Sequence, residues 1–502
     1  PTNNHFLVVR ELWVQGYPYR RRPDILGFVN GIPLLFIELK NVHRNIQKAY
    51  TDNLSDYKDT IPHIFDHNAF IILSNGDEAK LGSITSKYEH FNEWKRLEEE
   101  DAGVVDMETM LKGVCTKANF MDMFENFILF DDSSSKTVKV VARNHQFLGV
   151  NRAVAAVRER KERAGKLGVF WHTQGSGKSY SMVFFSQKVH RKVTGNFTFL
   201  VVTDREDLDK QIYKTYTGTG AVSSKASCRA GSGKQLEQLL QTDQPYLFTM
   251  IHKFNQEVTP ENPYSVRDDI IVISDEAHRT QYGKLALNMR NALPNASFIG
   301  FTGTPLFKDD ELTKRIFGGY TSTYDFKRST DDNATVPLYY DNRGEKLHLA
   351  TTDINERIAE KLEQVELDPD QEALLERQLG RDYHIITAQT RLDPIARDFV
   401  EHYTTQWNTG KAMFVCIDKI TTVRMYNLIT EYWQTKITEL EQELANATDE
   451  QELSTLSQKL AWAKETKIAV VVSEEQGEVD RFRKHGLDIV PHRTLMKEGF
   501  ET

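Results

Sequence analysis

Cysteine is scarce: three residues, Cys115, Cys228 and Cys416, in a chain of 502. They stand far apart and form no CxxC pair. That excludes a disulfide framework and a zinc ribbon, and favours a reducing, cytoplasmic setting. No apolar run approaches the length that spans a bilayer, so no membrane partner is expected. The opening residues, Pro1-Thr2-Asn3-Asn4-His5, lack the basic stretch and apolar core of a signal peptide. Repeats and low-complexity tracts are missing. So is a basic excess: the formal net charge is −9 and the isoelectric point is near 6.0. Nucleic-acid binding therefore has to be argued from local sites, not from bulk charge.

What is present is ordinary globular material. Hydrophobic residues make up 39% and charged residues 27%, enough for several cores, and the length suggests three or four domains. The chain starts on the strand-like Phe6-Leu7-Val8-Val9 with no initiator Met and stops at Gly499-Phe500-Glu501-Thr502 with no cap signal. We expect both ends to be cut from a longer protein.

The first seventy residues read as strands and turns with one helix. Asp24–Val29 and Pro33–Lys40 are strands joined at Asn30-Gly31, a strong hairpin signal. Ile46 to about Tyr57 suits a helix, Ala69–Leu73 is a strand, and Leu111–Phe130 is helical in pattern. The polar Asp131-Asp132-Ser133-Ser134-Ser135-Lys136 reads as a linker. From Val138 the pattern changes to helices alternating with compact apolar strands: Leu167–Phe170, Phe197–Val202, Leu247–Met250, Ile270–Ile273 and Ser297–Phe301. Such alternation predicts a parallel sheet wound with helices. A second α/β stretch begins near Val336, with a strand at Ala412–Ile417. The charged, helix-periodic Glu431–Lys467 follows, with a turn at Asn446-Ala447-Thr448-Asp449.

Two segments of the parallel-sheet region carry chemistry. After the strand ending Val169-Phe170-Trp171 comes His172-Thr173-Gln174-Gly175-Ser176-Gly177-Lys178-Ser179, then an apolar helix. A tight loop at a helix N-terminus wraps phosphate oxygens with backbone N–H groups. Gly175 and Gly177 allow close approach around Ser176, Lys178 places a cation on the β/γ phosphates, and Ser179 ligates Mg²⁺. The usual motif has Gly where His172 stands. About a hundred residues later, the apolar Ile270–Ile273 runs into Ser274-Asp275-Glu276-Ala277-His278. Asp275 would hold Mg²⁺ directly or through water, Glu276 would activate the attacking water, and His278 would link nucleotide state to motion. Either segment alone has a bland reading, a chance Gly/Ser turn or an acidic helix cap; the pair at this spacing does not.

These residues resemble superfamily 2 helicases of the DEAD/DEAH group. The resemblance implies that Gln146, within Arg143-Asn144-His145-Gln146, reads adenine. It implies that Thr302 and Thr304, within Thr302-Gly303-Thr304-Pro305, couple the ATP state to nucleic-acid grip. It also places DNA-backbone contacts at Val202-Thr203-Asp204-Arg205 and Thr249-Met250-Ile251-His252. No convincing arginine-finger element occurs before Thr502, so the isolated chain is expected to bind ATP but turn it over poorly.

The N-terminal hairpin carries a second constellation. Glu38 and Lys40 are two residues apart on a strand and share a face, and Asp24 joins them from the neighbouring strand. Two carboxylates with a lysine would hold one or two Mg²⁺ ions for phosphodiester cleavage, with Lys40 positioning or deprotonating the water. An isolated Glu-Leu-Lys is usually meaningless. Here Pro23 precedes Asp24, the charges emerge from the apolar Leu34–Ile37, and Tyr57 follows Asn53 by four residues. That set is similar to PD-(D/E)xK nucleases and to the Gln-x-x-x-Tyr element of one subset, with Asn53 in place of Gln. A nuclease site ahead of a DEAH motor resembles the restriction (motor) subunit of type I restriction–modification enzymes. The hairpin wording from Arg22-Pro23-Asp24 to Ile37-Glu38-Leu39-Lys40-Asn41, and Thr335-Val336-Pro337-Leu338-Tyr339-Tyr340, carry the likeness further.

The resulting expectation is an α/β protein: a restriction-endonuclease-like mixed sheet over 1–136, a RecA-like parallel-sheet domain over 137–333, and an incomplete second RecA-like domain over 334–502 with a helical insertion at 431–467. The resemblance implies ATP and Mg²⁺ as cofactors and double-stranded DNA as substrate. Methyltransferase and specificity subunits would be the partners, and cutting would fall away from the recognition site. It also implies an acidic metal ligand upstream of the hairpin, which the sequence does not identify. Rival readings are an ATP-dependent translocase whose N-terminal domain only binds DNA, and a non-catalytic nucleotide-binding scaffold.

Overall fold

The hairpin signal at Asn30-Gly31 is met by backbone geometry. Asn30 has φ 52° and Gly31 φ 82°, the two positive values a tight two-residue turn requires. This turn joins β4 (Ile25–Val29) to β5 (Ile32–Leu39) with Val29 opposite Ile32. In the computed structural model, residues 3–223, 228–254, 258, 262–275, 282–305, 311–343, 383, 386–408, 410–475 and 477–499 are described. They fall into two units, Pro1–Leu338 and Tyr339–Thr502.

The first unit opens with a six-stranded sheet in the order β1-β4-β5-β6-β7-β8. Its other members are β1 (Phe6–Arg10), β6 (Phe70–Ser74), β7 (Ala79–Gly82) and β8 (Asn92–Glu93). The β5–β6 pair is parallel and the others are antiparallel, so the sheet is mixed. A short side hairpin, β2 (Val14–Gln15) with β3 (Arg20–Arg21), stands apart from it. Alternate residues of the central strands go to opposite cores. Phe36, Ile71 and Leu73 pack with Leu54, Tyr57 and Phe65. Leu35, Ile37, Phe70 and Ile72 face the other way, into a core that continues through the rest of the unit.

Helices in this half are shorter than the periodicity suggests. The segment expected as one helix from Ile46 begins instead as a π-helical turn, Ala49–Leu54, followed by α1 (Ser55–Thr60). The helix-patterned stretch Leu111–Phe130 is interrupted. It divides into α2 (Met107–Val114) and α3 (Lys117–Asn126), because Thr116 leaves the helical region and its hydroxyl caps Asn119 N–H. The chain then turns into β9 (Ile128–Asp131), paired with β10 (Val138–Val141). The six residues read as a linker form the connection of that hairpin, with Asp131 Oδ1 accepting from Ser133 N–H at 2.8 Å.

The second sheet is parallel throughout, in the order β13-β12-β14-β15-β11-β16. Its strands are β11 (Lys166–His172), β12 (Thr198–Thr203), β13 (Tyr246–Met250), β14 (Ile270–Asp275), β15 (Ser297–Thr302) and β16 (Tyr320–Tyr324). The five apolar runs all became strands, four of them interior and β13 at one edge, as continuous burial in a helix-covered sheet demands. The polar edge strand β16 has no such run. Helices α4 (Asn144–Arg158) and α5 (Lys178–Lys192) precede and follow β11.

Among the described residues of Tyr339–Thr502 there are helices and no strand. Ala412–Ile417, expected as a strand, joins no sheet; Met413 and Val415 are 86% and 77% exposed, and no described segment supplies the paired neighbour a strand needs. The expected helical hairpin is present as Lys419–Asn446 and Glu450–Glu465, starting earlier than Glu431 because Asp418 caps Thr421 N–H. Leu392, Ala396 and Val400 pack with Met425, Ile429 and Trp433 there. Among the described residues no helix is long and apolar enough to cross a membrane.

Gly168 makes the β11–β16 contact feasible. It lies at a register irregularity with φ +104°, and a Cβ there would meet Thr321 Oγ1 at 1.9 Å and the Gly319 carbonyl oxygen at 2.8 Å. Gly168→Ala should destabilise the first unit by about 3 kcal/mol, combining backbone strain and overpacking. A lowered urea midpoint in equilibrium unfolding is the check.

Candidate functional site

The mixed sheet gathers its predicted residues at one end of β5. Glu38 is the last strand residue but one and is 1% exposed. Lys40, two residues on, brings Nζ to 3.8 Å from Glu38 Oε1. Asp24, just ahead of β4, accepts a hydrogen bond from Leu39 N–H on Oδ2 at 2.8 Å, which places it beside Glu38. From the π-helical turn, Asn53 Nδ2 donates to Glu38 Oε1 at 2.5 Å, and Asn53 Oδ1 accepts from Lys40 Nζ at 2.5 Å. Tyr57 lies one turn on, its hydroxyl 3.5 Å from Asn53 Nδ2. Asn53 stands where the motif has Gln. Its amide bridges the acid and the base, as a planar group with both a donor and an acceptor can. Single π-helical turns often occur at functional sites.

Electrostatics at this cluster are strained. Burial, and then the nearby Asp24 charge, push the Glu38 carboxyl up to about 8. Burial and the Glu38 charge push the Tyr57 hydroxyl up to about 12. Glu38 Oε2 is buried with no hydrogen-bond partner. An orphaned, hard carboxylate oxygen next to a second carboxylate suits a divalent cation with oxygen ligands. Among the described residues no group of three or more His, Cys, Asp and Glu surrounds one point, so two carboxylates are what the chain presents here.

The parallel sheet positions the other set at its C-terminal edge, where open α/β sheets bind ligands. Register aligns Trp171 with Thr302 and Asp275 with Phe301, so the loop after β11, the end of β14 and the end of β15 lie side by side. Within that loop Gly175 (φ +80°) and Gly177 (φ +86°) take left-handed conformations. Ser176 Oγ and Thr173 Oγ1 are buried without partners. Lys178 opens α5 and its Nζ donates to the His172 carbonyl at 3.2 Å; Ser179 follows it in the first turn. A Cβ on Gly303 would come within 3.1 Å of Lys178 Nζ, so the Thr302-Gly303-Thr304 turn touches the phosphate loop. Thr302 Oγ1 accepts from Thr304 N–H at 3.1 Å and fixes that turn. Asp275 is described and buried; Glu276 and His278 lie outside the described residues.

Three residues around the loop do more than their sequence positions suggest. Gln146 has both ends of its amide engaged: Nε2 donates to the Gly177 carbonyl at 3.0 Å, and Oε1 accepts from Arg143 N–H at 3.0 Å. In this arrangement it braces the phosphate loop and does not present a free amide to a base. His145 contacts the Ser176 carbonyl at 3.0 Å and stacks on Tyr324 at 3.8 Å between centroids; burial lowers its imidazole to about 4. His172, where the motif has Gly, is the last residue of β11. Its Nε2 meets Ser322 Oγ at 2.7 Å, and burial holds it well below its usual range. Both imidazoles are neutral at pH 7. No sequence signal marks them, because their partner strand β16 carries no apolar pattern.

Two family models match the chain in the order of these two sites. Residues 1–90 match the type I restriction enzyme R protein N terminus, and residues 145–372 match the SWI2/SNF2 ATPase. The chain is 37% identical over 460 residues to the type I restriction enzyme HindI endonuclease subunit of Haemophilus influenzae. It belongs to the family of type I restriction enzyme endonuclease subunits. A second family member, the putative MjaIXP endonuclease subunit of Methanocaldococcus jannaschii, is 32% identical over 463 residues. Each alignment takes in 85% of this chain but 43% and 44% of those relatives, so the chain spans less than half their length. Among solved structures, the chain is similar to a nuclease-deletion mutant of the Type ISP restriction–modification enzyme LlaGI in complex with a DNA substrate mimic. The identity is 17% and the TM-score 0.30, over 72% of this chain and 34% of that one.

Glu38 gives a pH signature. Folded, it keeps its proton up to about 8; an ordinary Glu carboxyl loses it near 4.5. The folded state therefore binds more protons between those values, and stability falls as pH rises through that window. The slope is at most about 1.4 kcal/mol per pH unit for one proton. Glu38→Gln should flatten this dependence and leave the protein more stable than wild type at pH 8 without divalent cations. Urea midpoints from about pH 5 to about pH 9 are the check.

Proposed function

We propose that the chain supplies the nuclease and part of the motor of a type I restriction endonuclease subunit. It would use ATP to move double-stranded DNA and cut that DNA at the Asp24/Glu38/Lys40 cluster, away from the recognition site. The observation that carries this is the bridged set Asp24, Glu38, Lys40, Asn53 and Tyr57 in the same compact unit as a phosphate loop facing Asp275. Sequence readout would belong to a specificity subunit, with a methyltransferase subunit completing the complex. This chain's own DNA contacts would then be mainly to phosphates and sensitive to salt.

The residues have separable tasks. Asp24 and Glu38 would hold Mg²⁺, which when bound supplies charge stabilisation for the attacking and leaving oxygens. Lys40, held by Asn53, would orient the attacking water or take its proton. Tyr57 stays a protonated donor at neutral pH, able to support a phosphate oxygen through its hydroxyl. At the second site, the left-handed Gly175 and Gly177 would aim backbone N–H groups at phosphate oxygens and Lys178 would leave the His172 carbonyl for the β/γ phosphates. Ser179 and Asp275 would hold Mg²⁺, and Glu276 would activate water. Thr302 and Thr304 flank Gly303, which lies against Lys178, and would pass a change at the phosphates on to the grip on DNA.

The deciding experiment uses the complete complex with its methyltransferase and specificity subunits. Asp24→Ala should lower DNA cleavage by about 100-fold or more and leave DNA-stimulated ATP turnover intact, whereas Lys178→Ala should remove both. Undiminished cleavage by Asp24→Ala would instead favour a translocase whose N-terminal sheet only binds DNA.

A further inference from the structure

The side hairpin β2–β3 is short, exposed and chemically unusual. Tyr17 at its tip is 99% exposed, and Trp13 and Tyr19 on its flanks are about half exposed. Three consecutive arginines leave the hairpin and lead through Pro23 into Asp24. They are spread over the rings: Arg20 lies 4.6 Å and Arg22 5.5 Å from the Trp13 ring centre, and Arg21 lies 5.0 Å from that of Tyr19. Such rings hold guanidinium groups by cation–π attraction without neutralising them.

The base of the hairpin is fixed to the candidate nuclease site. Arg21 makes a two-pronged bond to Asp56, Nε to Oδ2 at 2.5 Å and Nη2 to Oδ1 at 3.0 Å. Asp56 neighbours Tyr57 on α1. Gly16 packs so closely on the end of α1 that a Cβ would come within 2.0 Å of the Thr60 carbonyl oxygen. Val14 shares a core with Tyr57 and Phe36. Arg21 is thus used up in anchoring. Arg22 has only a loose contact with Glu11, at 3.6 Å between exposed groups. Arg20 has no carboxylate within ion-pair distance among the described residues.

An anchored base, an exposed aromatic tip and two arginines with one loose counter-charge between them, Glu11, are not what folding requires. Exposed rings clustered on one short hairpin form the kind of patch that marks an interaction site. We propose that the β2–β3 hairpin grips the phosphate backbone of duplex DNA next to the scissile position, with Arg20 and Arg22 on phosphate oxygens and the Tyr17 hydroxyl donating to the same backbone. This deepens, and rests on, the nuclease reading of Asp24, Glu38 and Lys40. The free guanidinium forks match phosphate oxygens, as they do carboxylates; the position of the hairpin is what favours phosphate. The hairpin leads directly into Asp24, so DNA at that carboxylate lies within reach of it.

The test uses the full-length restriction subunit and non-specific duplex DNA. Affinity is measured by fluorescence anisotropy over a range of salt, and DNA cleavage and ATP turnover are measured in the assembled complex. Arg20→Ala should weaken DNA binding about tenfold and reduce the slope of log affinity against log salt by about one; Arg20→Lys should restore the slope. Tyr17→Phe should weaken binding with the slope unchanged. At limiting DNA, cleavage should fall, and at saturating DNA both cleavage and ATP turnover by the complex should recover. An Arg20→Ala protein with unaltered slope and cleavage overturns the proposal. So does loss of assembly with the methyltransferase subunit without loss of DNA affinity, which would make the hairpin a protein contact. If Asp24→Ala still cuts but Arg20→Ala lowers the salt slope, the nuclease reading fails and the DNA contact stands.

Discussion

Three consecutive side chains in the first turn of α4 connect the parts of the first unit. Asn144 Oδ1 accepts from the N–H groups of Lys95 and Arg96 at 3.3 and 3.0 Å, and its Nδ2 donates to the Arg96 carbonyl at 2.9 Å. It therefore clasps the segment that leaves β8 of the mixed sheet. His145 and Gln146 take the carbonyls of Ser176 and Gly177 in the phosphate loop. A helix start normally leaves its groups to water or a cap. Here the same turn holds a backbone on each side, so neither contact can shift without the helix.

Other contacts tie the two sheets in the same sense. Buried Lys188 on α5 donates to Asp122 on α3 at 2.5–2.6 Å and to Asn151 on α4 at 2.5 Å. Asp332 gathers Lys95 and Tyr324, which stacks on His145. One apolar core runs from Val29 in β4 to Phe317 near β16. A buried charge needs its partner to remain in place, so these pairs oppose sliding of one sheet past the other. The phosphate loop and the Glu38 cluster consequently belong to one packed unit.

Much of this was legible in the sequence because strong local patterns and tertiary demands agreed. The Asn30-Gly31 turn, the five apolar strands and the glycine loop each have a single low-energy solution. What was not legible depended on partners distant in sequence. β16 is Tyr-Thr-Ser-Thr-Tyr, with no apolar run; it is a strand because Gly168 lets it approach β11 and because Ser322 and Tyr324 complete His172 and His145. The 131–136 stretch has linker composition, but Tyr180 donates to Asp131 at 2.5 Å and closes it into a hairpin. Leu111–Phe130 has helical periodicity on both sides of Thr116, and periodicity alone does not register that a hydroxyl cap can restart a helix.

Asn53 shows how the site itself went beyond the motif. A glutamine is one methylene longer, and the shorter residue leaves its reach to Glu38 uncertain when only spacing is known. Two features of the fold remove that difficulty. The π-helical turn Ala49–Leu54 carries residue 53 with an additional residue in its loop of hydrogen bonding, and Leu54 and Ala49 bury against the strands that hold Glu38. Both amide contacts then close at 2.5 Å, so nothing is lost in length. Such a bridge also explains why Glu38 Oε1 is satisfied while Oε2 is not. One oxygen is spent on positioning by Asn53, and the other is buried without a hydrogen-bond partner. A buried acceptor left open costs about 1–3 kcal/mol, a cost that folding alone gives no reason to keep.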